Sequence, residues 1–327
     1  MSTTNEALAQ PEQFVQELIR IPTDPLRRQF IADHAGQFHT EYVTKLTEAV
    51  HAQVRINADL ALSLAEAALA IAQSLGHAES VGRSLRALAN AHYALGKNKE
   101  AIQFYDQAQH AFETQGNDLE LAITLSSSIQ AHILLGQYEP ALHSAERARA
   151  IFTARGEKRR LARLDINVGN ILHRQDRFEE ALACYERSYE ILEALQDKEA
   201  IAAVLSNLAV DLIALNDFPR ALETYQKARE FCKQNGMTVL TGQADYNIAW
   251  LYYLRGEYST AIQGLLSNRE ECRNNGDVYQ FALDHLDLSE IYLELNLSAE
   301  AAEMAHEGRR LFQANGNGYE ESKCLAN

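Results

Sequence analysis

Six alanines stand at one fixed interval along this chain: Ala101, Ala141, Ala181, Ala221, Ala261 and Ala301, each forty residues after the last. Each closes a short motif of the form G-x-Y-x-x-A. The motif is clearest as Gly256, Tyr258, Ala261 and as Gly136, Tyr138, Ala141. A polar residue replaces the glycine in Asp176, Phe178, Ala181 and in Asn216, Phe218, Ala221, and the end copies read Gly96, Asn98, Ala101 and Asn296, Ser298, Ala301. A fixed period of this size marks a repeat architecture, whose unit cannot bury its apolar face alone and must stack on its neighbours. A second mark keeps the same period: Gly76, Gly116, Gly156, Gly236, Gly276 and Gly316, with Gln196 in the remaining place. Glycine there is the expected left-handed helix stop. The Asn or Asp that follows in several copies (Asn117, Asp197, Asp277, Asn317) is expected to cap the next helix.

Between these marks the apolar residues keep helical spacing. Leu85, Leu88, Ala89, His92 and Leu95 form one stripe of a first helix, A, and Leu205, Leu208, Ala209, Leu212, Leu215 or Ile248, Ala249, Tyr252 form its later copies. Small residues at 89, 169, 209, 249 and 289 would let helix A approach its partner, helix B, closely, as would the periodic alanines of helix B. The first full repeat is expected to place helix A over 80–95 and helix B over 99–115. Glycine and proline total only 21 residues and 46% of the chain is hydrophobic, as packed helices with short turns require. The fold expected is therefore all-α, an α-solenoid of stacked antiparallel helix pairs. Residues 1–38 do not obey the repeat: they read as an N-terminal helical cap with short helices over 12–21 and 26–35, separated by Pro22 and Pro25. Residues 39–327 read as the array, with a degenerate first repeat (helices over 39–55 and 59–75) and a last repeat truncated at Asn327, in mid-helix. On that phase the chain is expected to be a fragment of a longer protein.

The pattern over 39–327 resembles the tetratricopeptide repeat family, in the longer-helix subclass of MalT-like regulators, kinesin light chain and Rap-type quorum sensors. The unit is forty residues instead of thirty-four, and glycine stands where the common form has proline after helix B. More specifically, LDINVGNILHRQDRFEEAL (164–182), NLAVDLIALNDFPRALE (207–223) and YNIAWLYYLRGEY (246–258) resemble the repeat region of bacterial TPR–CHAT proteins, where a caspase-like protease domain follows the repeats. The resemblance implies a right-handed superhelix whose concave groove binds a protein or peptide. It implies the sensor or scaffold region of a larger multidomain protein, regulating a downstream effector domain absent from this chain. A free-standing regulator that binds a signalling peptide or a transcription partner is the alternative.

The chemistry classes narrow quickly. A formal charge of −15 argues against nucleic acid and anionic membrane as partners. No apolar run is expected to reach membrane-spanning length, and MSTTNEALAQPEQ is not a signal peptide, so the chain is expected to be cytoplasmic. The four cysteines (Cys184, Cys232, Cys272, Cys324) have no metal-binding spacing and read as buried free thiols. Cys232 and Cys272 share a phase on neighbouring repeats, too far apart for a disulfide. There is no GxSxG, HExxH, P-loop or GxGxxG, so no enzyme, no metal and no cofactor is expected. His92 and His132 read as packed, hydrogen-bonded core histidines.

The other stripe of helix A, which in tetratricopeptide folds lines the groove, carries the candidate site. One phase along it reads Ala87, Ser127, Asn167, Asn207, Asn247, Asp287, Asn327. A ladder of amides, each with donor and acceptor, can grip a peptide backbone without reading its side chains. The same amides could instead bond neighbouring helices and set the repeat register. Asn90, Gln130 and Asn170 form a second polar row. Arg83, Arg86, Arg163 and Arg174 lie toward the N-terminal half, and Asp287, Glu290 and Glu294 toward the C-terminal half, a gradient that could orient a ligand. Tyr246, Trp250 and Tyr253 fall on the same stripe, with aromatic types that dominate binding hot spots. Trp250 could equally pack on the next repeat.

Overall fold

The structure is a computed structural model and describes residues 10–315 and 317–326. The N-terminal nine residues of the expected cap, the helix stop at Gly316 and the truncation point Asn327 lie outside the described residues. Those residues form seventeen α-helices and one short 3₁₀ turn, with no strand among them. Clustering of contacts divides the chain into two compact units, Met1–Gln175 and Asp176–Asn327. The division falls in a turn inside a repeat.

In the first unit, α1 (Pro11–Arg20), α2 (Asp24–Asp33) and the 3₁₀ turn Ala35–Gln37 precede the helix pair α3 (Thr40–Gln53) and α4 (Ala58–Leu75). Helix α2 begins two residues before the expected start. Pro25 sits in its first turn, where the missing N–H has no intrahelical partner to lose. Phe14 of α1 is fully buried, with its ring 5.2 Å from Phe30 and 5.3 Å from both Phe38 and Tyr42. The unit continues with α5 (Ala78–Ala94), α6 (Asn98–Gln115), α7 (Asp118–Leu134), α8 (Tyr138–Ala154) and α9 (Lys158–Arg174). Contrary to expectation, one apolar run does reach membrane-spanning length: α4 has 18 residues and a mean hydropathy of 1.3. Its run is long because α2, α3 and α5 all pack on it. Leu60, Ala61, Leu64, Ala65, Ala67, Ala68, Ile71 and Ala72 are buried there.

The second unit holds α10 (Phe178–Ala194), α11 (Lys198–Ala214), α12 (Phe218–Gln234), α13 (Thr238–Leu254), α14 (Tyr258–Asn275), α15 (Val278–Glu294), α16 (Ser298–Asn315) and α17 (Gly318–Ala326). All six periodic alanines are 0% exposed, which explains why no larger residue stands at those positions. Their helix A counterparts Ala89, Ala209, Ala249 and Ser289 are buried as well. Around Gly264 the approach is tighter still, since a Cβ there would lie 2.8 Å from the Cβ of Ala249.

From α4 to α15 the helices end by one device. Positive φ occurs at 76, 96, 116 and so on to 296, every twentieth residue, eight times at glycine and four times at Asp176, Gln196, Asn216 and Asn296. After helix B the next amide but one reaches back to the carbonyl five residues earlier, from Asn117 to Phe112 (3.0 Å) after α6, Asp197 to Leu192 (3.1 Å) after α10 and Asp277 to Cys272 (3.0 Å) after α14. The same bond closes helix A, as from Glu257 to Tyr252 (2.9 Å). This is the Schellman arrangement, which satisfies carbonyls a helix end would otherwise leave bare. Asn117 and Asp277 also cap the next helix with their side chains, as expected; Asp197 does not.

Of the residues holding this left-handed turn, Gln196 alone is neither Gly, Asn nor Asp, and its φ is 52°. A Cβ in that region costs about 1 kcal/mol. Gln196→Gly is therefore expected to stabilise the chain by roughly 0.5–1 kcal/mol and raise the urea midpoint, while Gly116→Ala lowers it.

Candidate ligand groove

Each helix A buries one stripe against helix B and leaves a second stripe for other uses. In the first unit that stripe is polar and largely self-satisfied. Glu120 of α7 bridges two arginines of α5, Arg83 at 2.9 Å and Arg86 at 2.6 Å. Arg86 also donates to the Thr124 hydroxyl at 3.2 Å and lies over the Phe112 ring. Burial alone would raise the Glu120 carboxyl, but the charges and hydrogen bonds of Arg86 and Arg83 outweigh it and hold the group below its ordinary range. Burial pushes Arg86 down, against the pull of Glu120. Two of the proposed groove cations are thus neutralised from within. Sequence reasoning missed Glu120 because its partners lie 34 and 37 residues earlier, on the preceding repeat.

The amide rows divide in the same way. Asn90 accepts from the Tyr105 hydroxyl at 2.6 Å. Asn167 accepts from the Gln130 amide at 3.1 Å and donates to the Ser126 carbonyl at 3.4 Å, both on the preceding repeat. Asn170 is half-buried and Arg163 exposed on the same helix.

In the second unit, Asn207 on α11 and Asn247 on α13 are half-buried at the equivalent position. Asn247 makes no side-chain hydrogen bond to the described residues. Where Gln130 reaches Asn167, the repeat before Asn247 offers Val210, which is apolar and 39% exposed. Tyr246, Trp250 and Tyr253 share this face of α13. The Trp250 and Tyr253 rings are 4.7 Å apart, and Tyr253 donates to Glu294 of α15 at 2.8 Å. The Tyr246 hydroxyl lies against the carboxyl of Asp287, which takes the ladder position on α15 and is 5% exposed. Burial pushes Asp287 up to about 7. Its near neighbour Asp284 is fully buried, pushed up to about 7 by burial, and held by the Asn268 amide at 3.0 and 3.1 Å. This pair was not foreseen: the same positions in earlier repeats hold Leu164, Val204 and Ala244, with Ala148, Ser188 and Ala228 opposite.

The four cysteines are buried and free, and burial pushes the Cys272 and Cys324 thiols up to about 12 and about 11. His132 is buried and bonded to Gln137 at 2.8 Å. His92 packs on the Phe104 ring at 5.0 Å, but its Nδ1 has no partner, and burial lowers its pKa. Among the described residues no group of three or more His, Cys, Asp or Glu is placed to hold a metal.

Comparison with known proteins agrees with this architecture. Family models for the tetratricopeptide repeat match residues 84–111 and 160–234. The chain carries tetratricopeptide repeats. No curated protein matches it in sequence. Among solved structures, a Rap protein complexed with Competence and Sporulation Factor is similar over 88% of this chain and 96% of its own, at 15% identity and TM-score 0.59. A signal-transduction ATPase (STAND protein) with a tetratricopeptide repeat sensor, from Pyrococcus horikoshii, is similar over 94% of this chain and 50% of its own, at 14% identity and TM-score 0.61. A putative kinesin light chain from Podosopora anserina is similar over 62% of this chain and 98% of its own, at 16% identity and TM-score 0.53. At these identities the likeness establishes the fold alone, an all-helical array of stacked helix pairs.

Two substitutions test the electrostatics of the groove. Glu120→Ala leaves Arg86 buried without its partner and is expected to cost about 3 kcal/mol, most of it recovered in the Arg86→Met, Glu120→Leu double variant; urea melts measure both. Asp287 has a folded pKa near 7 against an ordinary 3.8. The native state therefore keeps a proton that the unfolded state releases, and stability falls as pH rises from about 4 to about 7, then levels. Asp287→Asn is expected to be more stable than wild type by about 2 kcal/mol at pH 8, with the difference vanishing toward pH 4.

Proposed function

We propose that this chain is a peptide-binding tetratricopeptide scaffold which holds an extended segment of a partner protein along the exposed stripe of its A helices. The observation that carries the reading is Asn247. Its amide is half-buried, is repeated in phase by Asn207, and has no side-chain hydrogen-bond partner among the described residues, in contrast to Asn167. An amide in a partly dry groove gains most from a ligand that supplies both a donor and an acceptor, and the peptide backbone does so at every residue. Tyr246, Trp250 and Tyr253 add apolar area beside it, while Asn90, Arg83 and Arg86 serve mainly to shape the first unit's surface.

In its finer form, the array is the sensor of a larger protein, and ligand binding changes the state of an effector domain that follows it, of the CHAT protease type suggested by the segments at 164–182, 207–223 and 246–258. The solved neighbours favour a sensor over a passive scaffold: one is a Rap protein complexed with Competence and Sporulation Factor, and another is described as a tetratricopeptide repeat sensor. This form of the reading expects proteolysis by the whole gene product to depend on the ligand.

The test of the groove is the Asn207→Ala, Asn247→Ala double variant. A partner captured by the wild-type chain and reduced to its minimal binding peptide is expected to bind the variant about tenfold or more weakly, with helicity and melting close to wild type. Equal binding by both proteins would make the amides register elements only.

A further inference from the structure

The acidic and aromatic end of the second unit has a chemistry that no other repeat shows. On α15, Glu290 and Glu294 are one helical turn apart, half-buried and exposed respectively. Like charges at this spacing repel. They also occupy the last turn of the helix, where the backbone dipole favours cations and opposes carboxylates. Neither forms an ion pair among the described residues, whereas the groove carboxylate of the first unit, Glu120, is bridged by two arginines of its own chain. The carboxylate of Glu294 is nonetheless held in place. It accepts from the Tyr253 hydroxyl at 2.8 Å, and the Tyr258 hydroxyl lies near it. Beside it the Trp250 and Tyr253 rings pack with centroids 4.7 Å apart, tilted by 47°, and Trp250 is half-buried. Behind them Asp287 is 5% exposed, and its Oδ2 has no hydrogen-bond partner. The earlier repeats carry Asn170 and Val210 at the position of Trp250 and Glu290, and Arg174 and Ala214 at that of Glu294. So the repeat itself does not call for these residues.

We propose that α13 and α15 form a receptor for one cationic side chain, an arginine or lysine of the bound segment, which lies over the Trp250 and Tyr253 rings and pairs with Glu290 and Glu294. The aromatic faces attract a cation through their quadrupole, most strongly when it is partly desolvated. The two carboxylates supply the counter-charge that the chain itself leaves out, and the Tyr253 hydrogen bond to Glu294 orients one of them in advance. The cation relieves the mutual repulsion of Glu290 and Glu294 at the helix end, so the unfavourable placement in the free protein becomes binding energy in the complex. Backbone capture by Asn247 would fix the segment, and this receptor would choose which segment is held and in which register.

This inference rests on the peptide-binding reading, and the test separates the two. A displayed library of random decapeptides is selected on the full chain, in parallel with the Glu290→Gln, Glu294→Gln double variant, which removes the charge repulsion and is expected to melt no lower than wild type. The expected result is enrichment of Arg or Lys at one fixed position with the wild type, lost with the variant. For a selected peptide, replacing that arginine by citrulline, its uncharged near-isostere, is expected to weaken binding roughly tenfold to the wild type and hardly at all to the variant. Selected peptides without a fixed cation, or with one that persists in the variant, would overturn the receptor and leave peptide binding standing. Failure of either protein to select any peptide would overturn both.

Discussion

Everything in this fold depends on a helix stop that recurs every twenty residues. The left-handed residue turns the chain, the following amide returns to a carbonyl five residues back, and the helix cannot run on. Each helix from α5 to α15 is thereby held to about seventeen residues, roughly 25 Å. Equal lengths bring the same pair of faces together in every repeat. The alanine three residues after the aromatic then always meets its partner helix at closest approach, and any side chain beyond Cβ at Ala221 or Ala261 would push the pair apart. The packing follows from the stops, and the stops follow from a residue type that tolerates positive φ.

On that frame the chain adds polar ties where one repeat meets the next. Arg149 reaches from the end of helix B to Asp165 of the next helix A at 2.6 Å, and Arg229 reaches Asp245 in the same way two repeats later. One residue earlier in phase, Asn268 and Asp284 replace an ion pair by an amide and a buried carboxyl. Such groups are costly to bury and weak as net stabilisers, yet once buried they tolerate few alternative partners. They favour one stacking of the repeats over neighbouring ones, which alanine and leucine contacts alone distinguish poorly. The price appears at Asp284 and Asp287, whose ionisation the interior resists.

How much of this could be read from the sequence follows from the same distinction. Features set by one repeat were legible: the alanines, the glycines, the stripe of helix A and the limits of α5 and α6 need only local rules of turn and spacing. Features set by two repeats were not. Asn167 and Asn247 are the same residue in the same phase, yet one is bonded to Gln130 and the other has Val210 at the equivalent place, so their difference lies in a residue 37 positions away. Arg83 and Arg86 looked like free groove cations until Glu120 of the next repeat came into contact. Asp284 was hidden for a further reason: it breaks the pattern at a position where the three preceding copies, Leu164, Val204 and Ala244, are apolar, and a single departure carries no period. Length and composition misled at α4, whose apolar run comes from contact with three helices.

The uniform spacing of the stops also bears on how such a chain can change length over generations. Unequal recombination between two copies joins a residue to one forty positions away, and in this array the two occupy the same place in the same kind of helix. Wherever the crossover falls, the hybrid helix keeps its length, its buried face and its stop, and only the ties to the adjoining copy are renegotiated. Gain or loss of a whole unit is therefore a smaller disturbance than insertion of a single residue, which would rotate a helix by about 100° and bury its polar face. Repeat number is the easy variable in this architecture and helix length the rigid one, so the extent of surface offered to a ligand can drift while the form of each unit stays fixed.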